Sequence, residues 1–175
     1  MKYDPKTHHR RSIRLQGYDY TQAGAYYLTT VVHRREHLLG EIQQEEMQLS
    51  KFGQIVHYAW LDLPNHYTQL ELGAFCIMPN HFHGIILFND VERMGVPPQP
   101  ISEIVRAFKS FSARRINAFR KTPGIPFWQR NYYEHIIRND QDHELIQKYI
   151  LSNPINWEKD DENHQQFVGA GLPEC

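Results

Sequence analysis

Cysteine is scarce: Cys76 lies inside an apolar run, Cys175 is the last residue, and the 175-residue chain has no others. Two thiols so placed exclude a disulfide framework and a thiolate metal site, and leave Cys76 as a core residue. Long apolar runs are lacking as well. None approaches the roughly 20 residues that cross a bilayer, and the start of the chain, MKYDPKTHHRRSIR, is polar and charged where a secretory signal would be apolar. The expectation is a cytoplasmic protein. Net charge is almost nil, −1 with histidine neutral, which excludes a uniformly positive surface that coats nucleic acid. The charges that are present are segregated. Bases gather at His8, His9, Arg10, Arg11 and Arg14, at Arg34 and Arg35, and from Arg106 to Lys121, while acids gather at 41–46 and 158–162. A basic face is permitted by this distribution, although the same residues also suit an ordinary solvated surface.

A chain of this length with 41% apolar residues supports one domain with a core. The expected division is a basic leader over 1–20, one domain over 21–157 and a polar tail over 158–175. Gly24 to Val32 is aromatic and β-branched, as a strand should be. From about Glu45, the residues Leu49, Phe52, Val56 and Trp60 recur at three- and four-residue steps until Pro64, which predicts an amphipathic helix. Leu72 to Met78 and Gly84 to Phe88 read as two strands joined through Pro79-Asn80, and 89–100 reads as a loop. Ser102 is a candidate cap for a helix that buries Ile104, Val105, Phe108, Phe111 and Ile116 and displays Arg106, Lys109, Arg114 and Arg115. A fourth strand over Tyr133–Arg138 and a helix over Asp142–Ser152, stopped by Asn153-Pro154, complete the order βαββαβ and then α. That order is the ferredoxin-like split βαβ of the α+β class, with an additional C-terminal helix.

The chemistry concentrates in two places. In His81-Phe82-His83, strand geometry sends both imidazoles to one face and Phe82 to the other, and two co-facing imidazoles make half a metal site. A bare H-x-H is short, and a histidine pair hydrogen-bonded near a turn is its commoner meaning. On the last helix Tyr149 and Asn153 are four residues apart and share a face. The amide oxygen could complete a metal shell, and the phenol could attack a phosphorus held beside it. A phenol has an unperturbed pKa of about 10 and is a weak nucleophile at neutral pH, so it needs in-line placement and a polarised phosphate. Taken alone, Tyr149 suits a core aromatic and Asn153 a helix C-cap, and Tyr132 and Tyr133 rival Tyr149 as nucleophile. Neither rival has a metal-binding residue four positions on. Trp128 and Tyr132 suit packing better than base stacking, and His33, His37, His57, His66, His135 and His143 have no partner at an informative spacing.

Taken in order, Arg14-Leu15-Gln16-Gly17-Tyr18-Asp19-Tyr20, Met78-Pro79-Asn80-His81-Phe82-His83-Gly84, Phe108-Lys109-Ser110, the run from Phe127 to Arg138, and Tyr149-Ile150-Leu151-Ser152-Asn153-Pro154 resemble the REP-associated branch of the single-tyrosine HUH transposases. The resemblance covers roughly Arg11 to Trp157. It implies a nuclease and strand transferase for single-stranded DNA, acting on imperfect palindromes folded as hairpins. It further implies Mg²⁺ or Mn²⁺ on His81 and His83, with Tyr149 as nucleophile and Asn153 as third ligand. Many relatives carry Gln at that third position, and REP-associated members carry Asn before Pro, as here. The product implied is a 5′-phosphotyrosyl enzyme and a free 3′-hydroxyl, in a protein used at the bacterial nucleoid. On this reading Arg10, Arg11, Arg14, Arg106, Lys109, Arg114 and Arg115 are expected DNA contacts. The short link from Arg138 to Asp142 fits a tyrosine helix packed on its own sheet, and so a monomer rather than a homodimer that exchanges the helix. Two other classes compete: a hairpin-binding protein that no longer cuts, against which the intact His81, His83, Tyr149 and Asn153 speak, and an RNA-binding module, whose aromatic signature is missing from the predicted strands.

Overall fold

The computed structural model describes residues 24–89 and 99–159. Within them the chain runs β1 (Gly24–Val31), β2 (Gly40–Gln43), β3 (Glu46–Leu49), α1 (Lys51–Leu61), α2 (Leu63–His66), β4 (Leu70–Ile77), β5 (His81–Phe88), α3 (Ile101–Phe119), β6 (Tyr133–Ile137) and α4 (Asp140–Ser152), with single 3-10 turns at His33–Arg35 and Trp157–Lys159. The main sheet has the order β4-β5-β1-β6, with every neighbouring pair antiparallel. β5 lies between β1 and β4, so the unit β1–α1–β4 is split by a strand that arrives later in the chain. The α+β class, the antiparallel sheet and the additional C-terminal helix are as expected.

Strand alternation gives the sheet two different faces. Tyr26 and Leu28 of β1, Val32 just beyond it, and Phe82, Ile86 and Phe88 of β5 point to the side covered by α1 and α3, where they join Val56, Trp60, Ile104 and Phe108 in the larger core. Tyr27, Ile85 and Ile137 point the other way into a smaller cluster closed by Ile150 of α4. The register pairs Thr29 with His83 and Val31 with His81, which places these four side chains on the α4 side. The main core thus forms on one face and leaves the other free for polar residues.

Gly84 shows how tightly the large core closes behind the histidines. A Cβ there would lie 2.6 Å from Trp60 Cζ2 and 2.9 Å from the Phe82 ring. Gly84→Ala should therefore cost about 1–3 kcal/mol by overpacking, read as a lower denaturation midpoint with unchanged m-value. A midpoint equal to that of the wild type would show that the Trp60 ring can shift at no cost.

Several boundaries differ from the sequence reading. The stretch from Gly40 to Leu49 is a β-hairpin, not the start of a helix. Gln44 and Glu45 form its two-residue turn with φ of 51° and 65°, a backbone that Asn or Gly usually signals. Leu49, counted above as helical, packs from β3 against the large core. α1 begins only at Lys51, where the Ser50 side-chain oxygen accepts from the backbone N–H groups of Phe52 and Gly53. Ser102 does not cap α3, which starts one residue earlier with Pro100 at the N-cap. α4 starts at Asp140, capped by the Asn139 side chain, which accepts from Asp142 N. The leader over 1–20, most of the 89–100 loop and the tail beyond Lys159 lie outside the described residues, as do Arg10, Arg11 and Arg14. No helix among the described residues is long and apolar enough to cross a membrane.

Candidate active site

His81 and His83 are successive same-face residues of β5, with ring centroids 4.5 Å apart. They are 0% and 4% exposed, and each ring is held through Nδ1. The Asn80 side chain donates its Nδ2 to Arg35 O at 3.4 Å, which leaves its Oδ1 to accept from His81 Nδ1 at 2.7 Å. This fixes the His81 proton on Nδ1 and the lone pair on Nε2. His83 Nδ1 lies 2.8 Å from the Tyr27 hydroxyl and 2.9 Å from Thr29 Oγ1. Burial, and then the charge His81 would carry beside it, hold the His83 pKa well below the ordinary histidine range. A neutral imidazole results, with Nε2 buried and without a hydrogen-bond partner.

The C-terminal end of α4 covers the pair. The Tyr149 ring meets His83 at 5.4 Å and Tyr27 at 6.5 Å between centroids, and the Trp157 ring meets His81 at 6.0 Å. Asn153 lies between these two aromatics, four residues from each. It is 4% exposed, and its Oδ1 is buried without a partner. Asn153 does stand at the C-cap, but in helical conformation, so its amide is buried instead of turned onto the helix end. Burying a polar atom unpartnered costs about 1–3 kcal/mol. An imidazole nitrogen and an amide oxygen left so on adjoining elements are of the chemical types that could bind a cation. Two imidazoles and an amide could hold a divalent ion with positions open to substrate oxygens. Among the described residues no group of three or more His, Cys, Asp or Glu is placed to hold a metal ion.

A cleft of about 390 Å³ opens beside the histidines, lined by His81, His83, Tyr149 and Tyr133 and by Gln129 and Asn131. Tyr149 is 49% and Tyr133 47% exposed, whereas the Tyr132 hydroxyl donates to Glu134 Oε2 at 2.8 Å. The stretch that carries Gln129 runs alongside the end of β1, with His33 N donating to Phe127 O and Gln129 N to Val31 O. Trp128 in this stretch is buried, its Nε1 donating to Ser112 Oγ at 3.0 Å.

The basic residues of α3 are not gathered at this cleft. α3 packs on the opposite face of the sheet. Arg106 pairs with Glu103, Arg115 lies 4.1 Å above the Phe111 ring centre, and Arg114 borders a separate hollow with His66 and Tyr67. Lys109 reaches the cleft wall, and there its Nζ donates to the carbonyls of Gln129, Arg130 and Asn131 at 2.7, 3.2 and 3.1 Å. Burial pushes its pKa down to about 8. Sequence reasoning passed over Tyr27, Thr29 and Asn80, the residues that orient the histidines. The only signal for the first two was their two-residue spacing on one strand face.

The profile of the family described as "Transposase IS200 like" matches residues 25–153. An uncharacterized protein of Haemophilus influenzae is 40% identical over 91% of this chain and 96% of its own length. A second protein of that organism, named as a REP-associated tyrosine transposase, is 27% identical over 78% of this chain and 73% of its own. Among solved structures, a REP-associated tyrosine transposase bound to a REP hairpin superposes with a TM-score of 0.61 at 21% identity, covering 83% of this chain and 74% of that one. A transposase of Deinococcus radiodurans superposes with a TM-score of 0.50 at 23% identity, covering 80% and 96%. With the family profile matching from the first strand to the Asn153 that closes α4, this chain belongs to the IS200-like transposases.

Proposed function

We propose that this chain is a divalent-metal-dependent endonuclease and strand transferase for single-stranded DNA bearing a hairpin, working through a 5′-phosphotyrosine on Tyr149. The observation that carries the proposal is the pairing of two buried, unpartnered donor atoms, His83 Nε2 and Asn153 Oδ1, with a half-exposed tyrosine one helical turn before Asn153. His81, His83 and Asn153 would hold Mg²⁺ or Mn²⁺, and two nitrogen donors favour Mn²⁺. When bound, the ion would supply positive charge to the phosphate oxygens.

The chain's own residues do the rest. Asn80 keeps the His81 lone pair on Nε2, and the hydroxyls of Tyr27 and Thr29 hold the His83 ring. Tyr149 Oη attacks the phosphorus and its proton passes to water. The bond from phosphorus to the 3′-oxygen breaks, and that oxygen takes a proton from water as it leaves. The 5′-phosphate stays esterified to the tyrosine, and attack by a new 3′-hydroxyl reverses the step. No external energy source is needed, because one phosphodiester is exchanged for another. Hairpin DNA is the partner held by the structural relative, and it is the substrate proposed here.

The test is incubation of the wild-type protein with a labelled single-stranded hairpin taken from repeats beside its own gene, with Mn²⁺, Mg²⁺ or EDTA, on a denaturing gel. Metal-dependent cleavage with a covalent protein–DNA band is the expected result. Tight binding with no cleavage in either metal would replace the proposal with a hairpin-binding role.

A further inference from the structure

Lys109 was expected to meet DNA phosphate, and its surroundings describe a different task. An ammonium group has three N–H donors. All three are used here, on the consecutive carbonyls of Gln129, Arg130 and Asn131 at 2.7, 3.2 and 3.1 Å. Three successive carbonyls turned to one side leave that stretch of backbone without a regular ladder, and outside β6. Gln129 N is tied to Val31 O, but among the described residues no backbone bond of this kind follows for Arg130 or Asn131. The ammonium takes the place of a strand partner. The Lys109 charge also stands 6.0 Å from the centre of the Tyr132 ring, the next residue along, whose hydroxyl is held by Glu134.

What this cap holds in place is a partition. On one side Gln129, Asn131 and Tyr132 wall the histidine–tyrosine cleft. On the other, Gln129, Arg130 and Tyr132 border a second hollow of about 370 Å³ that Val105, Lys109 and Trp128 also line. Arg130 and Asn131 are exposed, so the position of this stretch depends on what fixes its backbone.

We propose that Lys109 is a positioning residue: its ammonium pins the Gln129–Asn131 backbone as the wall against which the DNA strand is aligned with Tyr149, and it does not serve as a phosphate contact. The alignment role rests on the nuclease reading above, whereas the pinning of the wall stands apart from it. Arginine is no substitute in this task, because its planar fork cannot converge on three carbonyls around one point. At a phosphate contact arginine would serve as well or better.

The experiment uses the full chain with Lys109→Met, which keeps the stem and removes the charge, and Lys109→Arg, which keeps the charge. Three quantities are read: amide hydrogen exchange at Gln129, the protected amide of the wall, the salt dependence of affinity for the hairpin oligonucleotide, and single-turnover cleavage with saturating protein. Both variants should exchange at least about tenfold faster at Gln129, whose N–H is bonded to Val31 O, while the rest of the sheet keeps its protection. Both should cleave about tenfold or more slowly, with the salt slope of binding unchanged. A purely stabilising residue would instead lose protection throughout the sheet. Unchanged exchange at Gln129 in Lys109→Met overturns the pinning. A salt slope smaller by about one in Lys109→Met and restored in Lys109→Arg makes Lys109 a phosphate contact and overturns the proposal. If the wild type itself does not cleave, the nuclease reading falls and the alignment role with it, while local loss of protection with an unchanged slope still establishes the pinning.

Discussion

Tyr149→Phe is expected to abolish the covalent protein–DNA band and to slow strand cleavage by at least about 10³-fold, leaving hairpin affinity as it was. The substitution is a clean one here. The ring contacts with His83 and Tyr27 belong to the aromatic edge and face, which phenylalanine keeps, and the side chain is half exposed, so removing the hydroxyl leaves no buried group unpaired. The comparison that gives the result its force is Tyr133→Phe. Tyr133 lies on the same face of the sheet, borders the same cleft and is 47% exposed. It is thus the rival that geometry retains, whereas Tyr132 gives its hydroxyl to Glu134. Tyr133 stands on a strand and has no donor four residues further on, since Ile137 is buried in the small apolar cluster. Tyr133→Phe should therefore cleave within a few-fold of wild type. Cleavage that survives Tyr149→Phe and disappears in Tyr133→Phe would transfer the nucleophile to β6.

Part of this arrangement was legible in the sequence, for reasons that can be traced residue by residue. His81 and His83 were seen to share a face because strand periodicity is local, and Phe82 was correctly sent to the opposite core, where it packs on Trp60 and Phe108. Tyr149 and Asn153 were paired by helical spacing, which is equally local. What stayed hidden depends on partners distant in the chain. Thr29 meets His83 only through the β1–β5 register, and nothing in the residues around Thr29 specifies that register. Lys109 reads as one more cation on an amphipathic helix, because the carbonyls it caps belong to the backbone and leave no mark in residue type. The β2–β3 hairpin was missed because Gln44 and Glu45 make its turn without glycine or asparagine, and because Leu49 happened to fit a helical step that begins with Phe52. The charge pattern of α3 was read correctly as a face, yet that face lies across the sheet from the histidines, which no linear pattern can show.

The second large effect concerns the metal and can be measured without DNA. In wild-type protein, Mn²⁺ at about 100 times its dissociation constant should stabilise the fold by about 2.7 kcal/mol, which for a chain of this size raises Tm by about 5–10 °C. Asn153→Ala should lose most of that shift. The same substitution should leave the Tm of the metal-free protein within about 3 °C of wild type, because the atom removed is a buried oxygen with no hydrogen-bond partner, and deleting such a group relieves a desolvation cost that offsets the lost packing. His81→Ala should also lose the shift, but with a lower starting Tm, since it strips Asn80 Oδ1 of its 2.7 Å donor and opens space beside Trp157. The two variants therefore separate a residue kept for ligation from one that also carries structure. A full Mn²⁺ shift in Asn153→Ala would remove Asn153 from the ligand set and leave a two-histidine site completed by substrate. A metal-free Tm well below wild type in that variant would mean that its amide holds α4 in place, and its buried oxygen would then need another explanation than a cation.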